Sequence, residues 1–172
     1  MRDEGIITIP RWTAAAVLLP LLILIGFFAS PRDSGNRAML LLPGVRDTLI
    51  YQQAAQQWVG RFHELDSSLN VVLGGAFGND LYSKAESVNR ILSAATNLAK
   101  EIDRQATPNA ALPVRALLTA TAAAYLDAAR ASLTWTTAGS AENQAAAQAA
   151  LSNARARLQE LESSTWLTNP KP

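Results

Sequence analysis

The chain has 172 residues, a formal net charge of +1, no cysteine, a single histidine and 32 alanines. Without cysteine there is no disulfide framework, thiolate metal site, thiol nucleophile or lipoprotein acylation site. The twelve Arg and three Lys are scattered rather than clustered, so no basic face forms of the kind that displaces phosphate counterions, and nucleic acid is not an expected partner.

Residues 1–11 read as a short N-terminal tail. The next stretch, "WTAAAVLLPLLILIGFFAS" at residues 12–30, contains no formal charge. At 1.5 Å rise per residue a helix over it would be roughly 28 Å long, close to the ~30 Å hydrocarbon core of a bilayer. Pro20 near its middle would break a soluble helix but is tolerated as a kink in a membrane one, and Trp12 suits an interfacial anchor. Cleavage after Ala29 or Ser30 would place Phe27 or Phe28 at −3, against the small-residue rule for signal peptides. The expectation is a retained transmembrane anchor, with the lipid bilayer as partner. Arg2, Arg11 and the amino terminus balance Arg32, Arg37 and Arg46 across it, so the positive-inside rule returns a tie. The habit of short-tailed N-terminal anchors then puts the amino terminus in the cytoplasm and the rest of this single-pass cell-membrane protein outside.

Residues 31–43, "PRDSGNRAMLLLP", form a linker with breakers at both ends. Four helices are expected over 44–167, followed by a C-terminal tail at 168–172. The first, Gly44 to Leu73, spaces Tyr51, Ala55, Trp58, Phe62, Leu65, Leu69, Val72 and Ala76 in an unbroken 4-3 seam, and the glycines of "GGAFGND" stop it. The second, Asp80 to Ala106, repeats the spacing through Leu81, Ala85, Val88, Leu92, Ala95, Ala99, Ile102 and Ala106, with Ile91 and Leu98 widening the stripe. Asp80 is its cap, with Ser83 and Glu86 as a capping-box alternative. The third, Pro113 to Thr137, is apolar over more than half its circumference. The fourth opens on Ser140 with Glu142 in its first turn, carries Ala147, Leu151, Ala154, Leu158 and Leu161 inward, and ends near Leu167. The fold class is therefore all-α: a transmembrane helix followed by an antiparallel up-down-up-down four-helix bundle.

The chemistry-bearing residues are few. His63 in "FHELD" has Ser67 where a zinc helix needs a second His, and it follows the seam residue Phe62, which turns it towards solvent. The seams hold no carboxylate, against a di-metal bundle core. Met1 and Met39 are poorly placed as haem ligands. The hydroxyls of "SLTWTT" and "ESSTWL" have no base paired with them by sequence. Hence no catalytic residue, cofactor or metal is expected, and the chain is not expected to be an enzyme. Arg157 with Glu160, and Arg155 with Gln159, read as helix-surface pairs. Phe77 and Asn79, in the turn between the first two helices, are candidates for a protein partner's contact at the membrane-distal tip. Trp12, Trp166 and Lys171 are candidates for the membrane interface.

An anchor followed at once by a bundle resembles, in architecture alone, the extracytoplasmic sensor regions of bacterial chemoreceptors and histidine kinases. The second membrane span and signalling domain of those proteins are not found in these residues. The expected role is a scaffold or accessory subunit of a membrane complex. The alternative is an extracytoplasmic ligand-binding bundle with a pocket between the third and fourth helices.

Overall fold

The computed structural model describes residues 18–26, 43–75 and 80–168. The chain divides into two units, Met1–Gly44 and Val45–Pro172. In the first, residues 18–26 are helical (α1). Leu18, Leu19, Leu21, Leu22, Ile23, Leu24 and Ile25 along it are each 54–64% exposed. No helix among the described residues is long and apolar enough to cross a membrane. The described helical part of the expected anchor is thus shorter than the nineteen residues that the sequence offers, and the remainder of 12–30 lies outside the described residues.

The second unit takes α2 (Pro43–Leu73) from Val45 onward, α3 (Leu81–Arg104), α4 (Leu112–Ala138) and α5 (Ala141–Glu162), with a 3-10 turn at Asn109–Ala111 and a four-residue helix, α6, at Thr165–Thr168. No strand occurs among the described residues. Neighbouring helices run antiparallel. Between α3 and α4, Lys84 meets Trp135 while Asp103 meets Arg115. Between α2 and the C-terminal segment, Gln52 meets Leu167, His63 meets Glu162, and Asn70 meets Arg155. In each case rising numbers on one helix face falling numbers on the other.

Local chemistry explains where the helices begin and stop. Asp80 accepts the amide protons of Tyr82 and Ser83, both at 3.1 Å, and so caps α3. The Ser83 side chain bonds Asp80 at 2.6 Å, so Asp80 rather than the Ser83–Glu86 box is the cap. Those hydrogen bonds, the Ser83 hydroxyl first, hold the Asp80 carboxyl below its usual range. Ser140 accepts from the Asn143 amide at 3.1 Å at the start of α5. Gly139 ends α4 with φ of +60°, the left-handed conformation that glycine adopts without a Cβ clash.

The core follows the first and fourth seams closely. Tyr51, Ala55, Trp58, Phe62, Leu65, Leu69 and Val72 are all buried on α2, and Ala147, Leu151, Ala154, Leu158 and Leu161 on α5. Ala76 lies outside the described residues. On α3 the buried line is Val88, Ile91, Ala95, Leu98 and Ile102, whereas Ala85, Leu92 and Ala99 are only partly buried and Ala106 is exposed. The inward face is therefore rotated towards the residues that only widened the expected stripe. Larger side chains there remove more apolar area from water than alanine does. Phe62 stacks on Tyr125 across the core, ring centroids 5.5 Å apart.

The fourth helix ends earlier than its sequence suggests. α5 stops at Glu162, and the Ser163 hydroxyl bonds the Glu160 carbonyl at 2.8 Å. A serine pair that can bond its own backbone weakens the helix there, and the chain restarts as α6.

Candidate functional site

An open groove of about 460 Å³ lies between α2 and α3. Leu65, Val72, Ile91 and Ala94 supply its apolar wall, Ser67, Ser68 and Ser87 its hydroxyls, and Arg61, Glu64 and Arg90 its charges. Arg61 is tied to Glu101, and the Arg90 Nη2 donates to the Ser87 hydroxyl at 3.3 Å. The volume falls within the range of small-molecule sites. The groove lies on a different helix pair from the pocket expected between the third and fourth helices, α4 and α5. There Ala122, Ala128 and Ala129 on α4 and Ala147 and Ala154 on α5 are all buried. The Thr121 hydroxyl donates to the Leu117 carbonyl at 2.8 Å and lies 3.3 Å from that of Arg157 across the interface. Small side chains let those two helices close on each other.

Charged side chains mostly tie helix to helix. Trp58 donates its indole N–H to Glu101 at 2.9 Å. That hydrogen bond first, then the one from Arg61, holds the Glu101 carboxyl below its usual range. Asp66 accepts Arg155 through both oxygens, at 2.7 and 3.1 Å, and the Tyr125 hydroxyl lies 3.4 Å from it. Burial first, and the Asp66 charge second, push the Tyr125 phenol well above its usual range. The sequence places Arg155 beside Gln159 on the surface of its own helix, and the structure instead sends it to α2. Arg157 and Glu160 do pair, at 3.0 Å. His63 is exposed and meets Glu162 at 2.6 Å.

At one end of the bundle Lys84 is only 6% exposed, its Nζ 5.2 Å from the Trp135 ring centroid. At the other, Tyr51 contacts Trp58 and Trp166 edge-on, with centroids 5.7 and 5.9 Å away. Burial raises the Tyr51 phenol above its usual range, opposed by the nearby Thr107 hydroxyl and the Arg115 charge. Among the described residues, the Tyr51 hydroxyl and the Trp166 indole nitrogen, both buried, find no hydrogen-bond partner of normal geometry.

Of the residues singled out from the sequence, Phe77, Asn79, Trp12 and Lys171 lie outside the described residues. Trp166 is partly buried, its ring turned onto Tyr51. The hydroxyls of 132–137 are engaged by helix carbonyls: Ser132 to Ala128 at 2.8 Å, Thr134 to Arg130 at 3.2 Å, Thr136 and Thr137 to Leu133 at 2.9 and 3.0 Å. Among the described residues, no group of three or more His, Asp or Glu is arranged to hold a metal ion. The groove escaped the sequence reading because its walls come from two helices whose relative spacing no periodicity encodes.

Comparison of the chain with known protein families, with characterised proteins and with solved structures returns no match.

Proposed function

We propose that the chain is a single-pass membrane protein whose helical bundle acts by binding, as a scaffold or accessory subunit of a membrane complex, with the bundle on the extracytoplasmic side. One observation carries the membrane part of this reading. On α1, seven large aliphatic side chains, five of them consecutive from Leu21 to Ile25, are all more than half exposed. Successive helical positions turn by 100°, so an apolar run of this kind leaves no polar face for water. A bilayer removes that cost. The nine described residues would span roughly 14 Å, and the charge-free stretch around them supplies the remaining length. Membranes carrying the expressed chain, washed at alkaline pH and followed by N-terminal sequencing, test the anchor. Retention with Met1 or Arg2 first supports it, and release, or a start near Pro31, rejects it. Protease added outside sealed cells tests the orientation.

The second reading is a ligand-binding bundle, favoured by the groove between α2 and α3. Purification in mild detergent separates the two. A stoichiometric protein partner supports the scaffold, and a monodisperse monomer with a co-purified small molecule supports the groove.

A further inference from the structure

We infer that α6 is a strap, closed over the Tyr51 end of the bundle, that opens on its own while the four long helices stay folded. Four residues make one helical turn, too few to hold a helix without tertiary packing. Between α5 and α6 the ladder tightens from a four-residue step, the Ser163 amide to the Gln159 carbonyl at 3.0 Å, to a three-residue one, the Ser164 amide to the Leu161 carbonyl at 3.1 Å, which marks a local break in α-helical geometry. The tie from the Gln52 Nε2 to the Leu167 carbonyl is long, at 3.4 Å. Trp166 and Leu167 are only partly buried, so docking them removes less apolar surface from water than a full core position would.

The closed state also carries a specific penalty. The Trp166 indole N–H is buried and has no acceptor among the described residues. A buried donor without a partner opposes the conformation that buries it. The contrast with Trp58 is direct, because that indole N–H is donated to Glu101 at 2.9 Å. Opening at Ser163–Ser164 hydrates the Trp166 nitrogen and leaves the Trp58 bond intact. It also uncovers the edge of Tyr51 that Trp166 packs against. The buried indole nitrogen thus opposes a closed strap whose large side chains are only partly buried, the balance expected of a segment at the low-stability end of a fold.

Hydrogen exchange on the full-length, nitrogen-15-labelled chain in nonionic detergent tests this. The Trp166 indole N–H is followed against the backbone amide of Leu118, whose side chain is fully buried in the second turn of α4. The expected result is protection of Trp166 at least about tenfold below that of Leu118, with a rate that does not change in sub-denaturing urea. Gln52→Met, which keeps the length of the side chain but loses the donor, should speed Trp166 exchange several-fold and leave Leu118 unchanged. If Trp166 and Leu118 share one protection and one urea slope in the wild-type chain, α6 opens only with global unfolding and the inference fails. A Gln52→Met variant that speeds both sites equally overturns it as well.

Discussion

Arg155 on α5 grips Asp66 on α2 through two nearly parallel hydrogen bonds, Nε to Oδ1 at 2.7 Å and Nη2 to Oδ2 at 3.1 Å. The same Nη2 reaches the Asn70 side chain at 3.0 Å. Fork-to-carboxylate geometry is the strong form of an ion pair, and Asp66 is the better shielded partner, its side chain 23% exposed against 47% for Arg155. The contact closes the bundle by joining its first helix to its last.

Removing either partner should therefore cost more than an ordinary surface pair. Arg155→Ala or Asp66→Ala is expected to lower unfolding stability by about 1–2 kcal/mol, and the double variant by less than the two together. Urea unfolding followed by circular dichroism checks the cycle. Additive losses would mean that the two side chains act independently. By contrast, His63→Ala, which breaks a pair exposed on both sides, should cost less than about 1 kcal/mol.

A carboxylate placed in the α2 seam should report its surroundings. Leu69 is completely buried, whereas Leu65 lines the groove with Arg61 and Arg90. Leu69→Asp strands a charge with no partner and is expected to cost more than about 3 kcal/mol. Leu65→Asp can turn towards water and the two guanidinium groups, so its cost should be smaller by about 1 kcal/mol or more. Melting temperatures of the two variants check the order. The reverse order would show that the groove is closed in solution.

Two glycines should respond to the same substitution with opposite signs. Gly60 sits inside α2, and a methyl group added there would meet nothing within 4 Å, so Gly60→Ala should stabilise by about 0.5–1 kcal/mol. Gly139 has φ of +60°, where a Cβ is strained, and Gly139→Ala should destabilise by about 1 kcal/mol. Thermal denaturation resolves both shifts.

Acid should weaken the tie between α2 and α3. A carboxyl held below its ordinary value of 4.5 by Trp58 and Arg61 stabilises the fold above that value. Its contribution disappears as pH falls through the lower, folded value. Because Glu101 is about half exposed, the effect should stay within about 1 kcal/mol. Glu101→Gln should flatten the loss of stability below pH 4.5 relative to the wild-type chain and leave the other acid-sensitive groups in place. Denaturant titrations across that window measure it, and an unchanged slope would show that Glu101 is not held in the folded state.

The four long helices, the seams of α2 and α5 and the capping residues Asp80 and Ser140 were legible in the sequence. Each depends on interactions within a few residues: apolar spacing that matches the helical turn, and a side-chain oxygen three positions from the amide it accepts. The rotation of α3 onto Ile91 and Leu98 was not, because two overlapping apolar stripes satisfy the same periodicity and only packing against the neighbouring helices selects between them. The groove, the Asp66–Arg155 grip and the burial of the Trp166 nitrogen against Tyr51 lie further still from local rules. Each joins residues on different helices, 89 positions apart in the chain for Asp66 and Arg155. Composition and periodicity determine that four amphipathic helices form and, for α2 and α5, which faces turn inward. The spacing and order of the packed helices decide which polar groups then meet, and that was settled only by tertiary structure.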